Sequence, residues 1–385
     1  MLKKIFISSG GTGGHIIPAI SFAKFLQNQG HKIWFYGDIK SKNFIKNSDN
    51  LNYNLIPSAQ FVKNLIGLIN FFLKTNFGFI KSLFEIIKYR PDYIIAFGGY
   101  STFPMLLAGI FSNSKIILHE QNAHFGKVNR LFAKYAYKIC LSFEKTDGIK
   151  EIFKSKTVFT GNPIRDEIIA LNSKSYVLPK NENFTIKTDN KFGYDVLLNS
   201  DFNIESISKK YFKILVIGGS GGAKIFSDIL PKAFYNFSEN IKEQIQIFQQ
   251  CRVELVESTF DQYKSFNLNI VVDSYFEDMS NLIDECHLVI ARAGSSSIFE
   301  FCCAKKPMIL VPFANSADDH QLKNASYLNQ NGACIMIKES DFNIKNVNEI
   351  LNNLLNNTNI LLELSKNAGN LALINANNNI SKIIN

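Results

Sequence analysis

Gly10-Gly11-Thr12-Gly13-Gly14-His15 lies between an apolar run, Ile5-Phe6-Ile7, and a stretch of helical spacing, Ile16–Gln29. Glycine lets a backbone turn sharply and approach a ligand without interference from a Cβ. The helix that follows such a loop offers unpaired N–H groups and a partial positive charge, which suit a diphosphate. A simple strand-to-helix turn rarely needs four glycines. Thr12 and His15 are the only side chains of the loop with polar chemistry. Neither common nucleotide fingerprint fits. Counted from Gly11, G-x-G-x-x-G puts Ile16 where the third glycine belongs, and the absence of G-K-[ST] excludes a standard Walker A motif.

Outward from this loop the chain alternates strand and helix signals. Ile5–Ser8 reads as a strand, and Ile16–Gln29 as a helix with Pro18 in its first turn and Gly30 at its end. Further strands are expected at Ile33–Tyr36, Tyr93–Phe97, Lys115–His119, Lys138–Ser142 and Thr157–Thr160. The alternation implies a parallel sheet covered by helices. Leu171 to Lys210 is rich in Asn, Ser, Lys and Asp without sustained periodicity, so 166–210 reads as a linker or insertion. At Phe212 the scheme restarts, with Phe212–Ile217 as strand, Gly218-Gly219-Ser220-Gly221-Gly222 as loop and a helix from Ala223. Strands follow at Gln244–Phe248, Asn269–Asp273, Leu288–Ala291, Met308–Val311 and Cys334–Ile337. The expected fold class is α/β: two Rossmann-like domains, 1–165 and 211–364, with parallel sheets facing a central cleft. The last helix, about 365–385, is expected to pack back on the first domain.

The bulk numbers narrow the function classes. At 385 residues and 46% hydrophobic content the chain is long enough for two globular cores. No apolar stretch reaches the ~18 residues of a spanning helix. The N-terminal stretch before Gly10 is too short for a signal peptide. The six cysteines show no CxxC and no zinc spacing, and read as reduced, mostly buried thiols of a cytoplasmic protein. A net charge of +9 points to an acidic partner, such as a phosphorylated substrate or an anionic membrane. The basic residues are scattered, which argues against nucleic acid.

Further motifs fall where strands end: Gly98-Gly99-Tyr100-Ser101, His119-Glu120-Gln121-Asn122, Gly161-Asn162-Pro163-Ile164-Arg165, Arg292-Ala293-Gly294-Ser295-Ser296-Ser297 leading to Glu300, and Asp319-His320-Gln321. Each alone has a bland reading as a turn or a satisfied core group. Their common position at strand carboxyl ends, where open α/β sheets bind ligands, makes a site the better reading.

In combination GGTGGH, GGY-x-x-x-P, HEQN, GNP-x-R, GGS-x-G and HQ-x-x-NA (His320 to Ala325) resemble the peptidoglycan glycosyltransferase family. Its members add N-acetylglucosamine to undecaprenyl-pyrophosphoryl-N-acetylmuramyl-pentapeptide. The resemblance runs from Gly10 to about Gly332, with 171–210 as its main gap. It implies the glycosyltransferase B fold, an inverting transfer, UDP-N-acetylglucosamine as donor, no catalytic metal or other cofactor, and a peripheral place on the cytoplasmic face of the cell membrane. The residues agree with that. No Asp-x-Asp occurs to clamp a metal–diphosphate, so charge on the departing UDP falls to helix N-termini and fixed donors. Ser220 with its glycine neighbours, and Thr12, Gly13 and Gly14, can supply them. Arg165 adds a planar cation suited to diphosphate oxygens. By resemblance Glu300 meets the ribose hydroxyls, Gln321 and Asn122 the sugar, and Phe276 the uracil through its backbone. Ser295 stands where the family commonly has alanine. Inversion in one displacement needs a base for the acceptor 4-hydroxyl. His15 is the first candidate, because imidazole titrates near neutrality. His119 and Glu120 compete, and Tyr100 reads as an acceptor-positioning group.

The membrane contact is expected from 61–90, where Glu85 is the only acid and Lys74, Lys81 and Lys88 recur every seven residues with Lys63 on the same helical face. Aromatic and aliphatic residues beside a basic stripe suit an interfacial helix on anionic lipid; a core helix with a solvated lysine face is the alternative. Gly67 and Gly78 argue against one unbroken helix there. Gln249-Gln250-Cys251-Arg252 replaces the family's glycine-containing segment. The rival readings are another glycolipid glycosyltransferase, a UDP-sugar epimerase of the same fold, and a non-catalytic nucleotide-binding module. The epimerase leaves 61–90 unexplained, and the binding module leaves His15 and Glu300 unexplained.

Overall fold

The computed structural model describes residues 2–45, 51–60, 64–179, 211–219 and 222–384. Lys63, Ser220 and the 180–210 part of the expected linker lie outside them. The described residues divide into two compact units. One comprises Met1–Asp166, Ser295–Phe299 and Leu373–Asn385, the other Glu167–Gly294 and Glu300–Ala372.

The first unit holds a parallel sheet of β1 (Lys4–Ser8), β2 (Lys32–Gly37), β3 (Tyr53–Leu55), β4 (Tyr93–Ala96), β5 (Lys115–Glu120), β6 (Lys138–Leu141) and β7 (Thr157–Phe159). Its order is β3-β2-β1-β4-β5-β6-β7, so the direction of winding reverses between β1 and β4. Both faces are covered, as parallel sheets require. Alternate residues of β1 divide between them. Ile5 and Ile7 pack with Phe22 and Leu26 of the helix Gly13–Asn28 and with Ile380 and Ile384 of the helix Ala376–Ile384. Phe6 packs with Tyr36, Ile86 and Ile94 on the other face. The strand β3 was not expected. At three residues, Tyr53-Asn54-Leu55, it is too short to show an alternating pattern.

The second unit repeats the plan with β8 (Phe212–Ile217), β9 (Ile245–Gln250), β10 (Asn269–Asp273), β11 (Leu288–Ala291), β12 (Met308–Leu310) and β13 (Ile335–Met336). Its order is β10-β9-β8-β11-β12-β13, and all pairs are parallel. The six cysteines are all buried and free. The helix Thr358–Asn370 belongs to this unit, where Leu361 and Leu364 enter the core, so the return to the first unit comes at Leu373 rather than near 365.

The two glycines expected to interrupt 61–90 do not. Leu65–Tyr89 is one helix, with Asn64 as N-cap accepting from Gly67 N at 2.6 Å. Gly67 therefore lies in the first turn, where the cap offsets its low propensity. A Cβ on Gly78 would come within 2.1 Å of Pro57 O and 3.0 Å of the Pro104 ring, so close packing requires glycine there. Gly78, Ser82 and Ile86 form the buried face. Leu65, Ile66, Ile69, Phe72, Leu73, Phe77, Ile80, Phe84 and Ile87 are each more than half exposed. At ~100° per residue they form one continuous arc, with the exposed Lys74, Lys81 and Lys88 along its edge. Glu85 is turned inward, where its Oε2 accepts the Tyr36 hydroxyl at 2.9 Å. Among the described residues, no helix is long and apolar enough to cross a membrane.

Candidate active site

In the first unit the site is built on the loops after β1, β4 and β5. The helix after β1 begins at Gly13, earlier than the glycine count implied. Thr12 is its N-cap, and its carbonyl accepts from His15 N at 3.1 Å and Ile16 N at 3.2 Å, while its exposed hydroxyl makes no capping bond. Gly13, Gly14 and His15 thus form the first helical turn, with their amides at its positive end. Gly10 is required by space, since its Cβ would lie 2.2 Å from Ser101 Oγ. Gly11 is required by conformation, at φ +89°. Its amide donates to Asp38 Oδ2 at 3.0 Å, and the Tyr100 hydroxyl donates to the same oxygen at 2.8 Å. Burial, then the Asp38 hydrogen bond, push the Tyr100 phenol up to about 12. Tyr100 therefore remains protonated and acts as a strut to the loop.

Gly98 and Gly99, at φ +78° and +81°, lie against the imidazole of His15. A Cβ on Gly98 would come within 3.2 Å of that ring, and one on Gly99 within 2.5 Å of Gly10 O. His15 is half-buried, and its Nδ1 is 2.8 Å from Gln121 Oε1. Gln121 Nε2 is 3.0 Å from His119 Nδ1, and His119 Nε2 is 3.2 Å from Gly161 O. Burial holds the His119 imidazole down at about 4 against the raising effect of the Gly161 carbonyl.

These contacts set two of the three candidate bases apart from His15. His119 is fully buried with both ring nitrogens bonded, so it cannot reach a substrate hydroxyl. Glu120 is 1% exposed. Its Oε1 accepts from Asn122 N and Nδ2, both at 3.1 Å, and its Oε2 from Gly126 N and Asn129 Nδ2, both at 2.8 Å. The carboxylate is the knot of its own loop. Asn122 is half-buried beside it, and Arg165 is half-buried just before the short helix Asp166–Ile169.

In the second unit the corresponding loops follow β8, β10, β11 and β12. Gly219 and Gly222, at φ +79° and +63°, lie in the described part of the glycine loop. A Cβ on Gly222 would lie 2.8 Å from Arg252 N, so the segment that departs from the family pattern packs directly on this loop. Gln249 is buried there, donating to Ser227 Oγ at 3.0 Å and accepting from the Tyr263 hydroxyl at 2.7 Å. Phe276 is half-buried in the turn after β10, ahead of the helix Met279–Glu285 capped by Asp278. Ser295, counted with the first unit, opens the helix Ser295–Cys303, and Glu300, where the second unit resumes, is buried five residues on. Asn324 Nδ2 donates to Ala293 O at 3.1 Å, which fixes the turn before that helix. Arg292 donates to Val311 O at 3.1 Å and Glu339 Oε1 at 2.9 Å, between the rings of Phe226 and Phe313. Gln321 Oε1 accepts from Phe313 N at 2.9 Å, so what the side chain has left to offer a ligand is mainly its amide donor.

The glycosyltransferase family 28 N-terminal domain matches residues 5–141 and the family 28 C-terminal domain residues 213–382. A Wolbachia protein (subsp. Drosophila simulans, strain wRi), UDP-N-acetylglucosamine--N-acetylmuramyl-(pentapeptide) pyrophosphoryl-undecaprenol N-acetylglucosamine transferase, is 33% identical over 99% of this chain and 98% of its own. This chain belongs to the MurG family. The crystal structure of Acinetobacter baumannii MurG aligns with a TM-score of 0.71 at 25% identity, over 99% of this chain and 98% of that one. A UDP-GlcNAc 2-epimerase from Neisseria meningitidis aligns with a TM-score of 0.65 over 99% of each chain, but at 10% identity the likeness is of fold alone.

The fold of this MurG-family chain brings His15, Thr12, Gly13, Gly14 and Tyr100 to neighbouring loops at the β1/β4 reversal, where ligands of such sheets bind. Four polar anchors escaped the sequence reading: Asp38, Gln121, Arg292 and Asn324. Asp38 and Arg292 each directly follow a strand, which was a usable signal. For Gln121 and Asn324 the signal was membership in HEQN and HQ-x-x-NA.

Proposed function

We propose that the protein transfers N-acetylglucosamine from UDP-N-acetylglucosamine to the 4-hydroxyl of undecaprenyl-pyrophosphoryl-N-acetylmuramyl-pentapeptide, with inversion and without a metal. The observation that carries this reading is the relationship to named transferases across 99% of the chain, through both domains. His15 takes the acceptor proton. The amides of Gly13 and Gly14 and the Arg165 guanidinium meet diphosphate charge, Glu300 holds the ribose, and Gln321 and Asn122 hold the sugar. The exposed apolar arc of Leu65–Tyr89, edged by Lys74, Lys81 and Lys88, supports docking on the anionic cytoplasmic face of the cell membrane, where the lipid-linked acceptor lies. Incubation of the purified protein with labelled UDP-N-acetylglucosamine and the lipid-linked monosaccharide should give a lipid-linked disaccharide carrying the label. Label recovered only as an epimerised UDP-sugar would overturn the assignment.

A further inference from the structure

A chain of hydrogen bonds runs from a backbone carbonyl to the proposed base: Gly161 O, His119, Gln121, His15. Its polarity is set at the buried end. A carbonyl accepts only, so His119 Nε2 must carry the hydrogen that faces Gly161 O. Full burial keeps His119 neutral, so its Nδ1 holds a lone pair and needs a donor. Gln121 can supply one only from its Nε2, which turns its Oε1 toward His15. Oε1 also accepts only, so the nitrogen of His15 that faces it, Nδ1, must be the protonated one. Flipping the Gln121 amide would set two lone pairs against each other at His119.

We infer that Gln121 and His119 are positioning residues that hold His15 as the Nδ1–H tautomer, with the lone pair on Nε2. The inference rests on the reading of His15 as the base. Among the described residues Nε2 makes no hydrogen bond, and the ring lies against Gly98 and Gly99, where a Cβ on Gly98 would meet it at 3.2 Å. When the acceptor 4-hydroxyl oxygen bonds the anomeric carbon, the UDP oxygen leaves with the electron pair of the broken bond. The hydroxyl proton passes to Nε2, and Nδ1–H continues to donate to Gln121. A free imidazole prefers the opposite tautomer, so without the relay the lone pair would fall mainly on the wrong nitrogen. The relay is neutral throughout. The titratable groups of the surrounding loops are His119, Glu120, Asp38 and Tyr100. Glu120 is tied to its own loop, and Asp38 and Tyr100 are bonded to each other.

The test is long-range 1H–15N spectroscopy of protein labelled at its six histidines, with His15→Ala assigning the His15 ring. Above its titration range His15 should show a protonated Nδ1 and a bare Nε2; a protonated Nε2 overturns the inference whatever the activity. Gln121→Leu should move His15 toward the Nε2–H form and lower kcat about 100-fold with KM for UDP-N-acetylglucosamine unchanged. An unchanged kcat would overturn it. Should that variant not fold, Gln121→Glu sets an anionic acceptor at the same place. It should raise the His15 titration and move the acid limb of the kcat profile to higher pH by about one unit or more; an unmoved titration counts against the relay. An Nδ1–H His15 together with full turnover in His15→Ala would overturn the base reading alone.

Discussion

At the scale of single residues, burial and bonding decide which titratable groups can do chemistry. His15→Ala should lower turnover about 100- to 10,000-fold and leave UDP affinity unchanged by calorimetry, since the imidazole is proposed to act only on the acceptor proton. Glu120→Gln should act on stability instead. Its carboxylate accepts four N–H bonds, and an amide would turn a donor toward at least one of them, at about 1–3 kcal/mol. Thermal unfolding should record the loss, and a dead Glu120→Gln with unaltered Tm would restore Glu120 as a base. On the donor side, Glu300→Ala should weaken UDP alone, by about 1–3 kcal/mol for a lost hydroxyl bond. Gln321→Glu keeps the acceptor for Phe313 N but gives up the amide donor, so its effect should appear only when the N-acetylglucosamine moiety is present. Equal UDP affinity in Glu300→Ala would remove the ribose assignment.

Among the elements, the helix Leu65–Tyr89 has the most to explain, because a helix that buries Gly78, Ser82 and Ile86 leaves most of its large side chains outside. Its cap and the close approach at Gly78 fix it to the domain, and its exposed arc meets the solvent or a lipid surface. Each lysine near an anionic surface contributes roughly 1 kcal/mol, fading beyond a Debye length. Changing Lys74, Lys81 and Lys88 to Gln should therefore release the protein from anionic vesicles in sedimentation without a change in Tm. Turnover should fall on membrane-embedded acceptor and hold on a short-chain soluble one. A triple variant that sediments like wild type would make the stripe a solvated face only.

On the scale of the whole molecule, the chain leaves the first unit at Asp166, rejoins it over Ser295–Phe299 and returns for the last time at Leu373. The returning helix places Ile380 and Ile384 in the same core as Ile5 and Phe22, and Asn377 Nδ2 bonds Ser21 Oγ at 3.3 Å. Ile380→Ala or Ile384→Ala should cost about 2–5 kcal/mol. Hydrogen exchange should accelerate in β1 and the helix Gly13–Asn28 while β8 stays protected; uniform acceleration would mean the helix stabilises both units. With the diphosphate charge assigned to helix termini and Arg165, activity should survive exhaustive dialysis against EDTA. Recovery that depends on added magnesium or manganese would count against the metal-free mechanism.

The sequence by itself determined the two α/β units and the site loops. Apolar runs of period and length typical of buried parallel strands, each followed by glycine or a polar cluster, are local signals, and β8, β10 and β11 begin and end where those runs do. The position of His15 beside its glycines was legible for the same reason. Three things were decided only by tertiary structure. Gly78 could be seen to support a helix rather than break it only once Pro57 and Pro104 lay against it. Asp38 gained its meaning from Gly11 and Tyr100, which approach from other loops. That His119 and Glu120 are buried and already bonded, while His15 is half-buried, was also fixed by the packed chain. Burial and hydrogen-bond polarity belong to the packed chain, since each depends on partners distant in sequence, and no local pattern of residues records them.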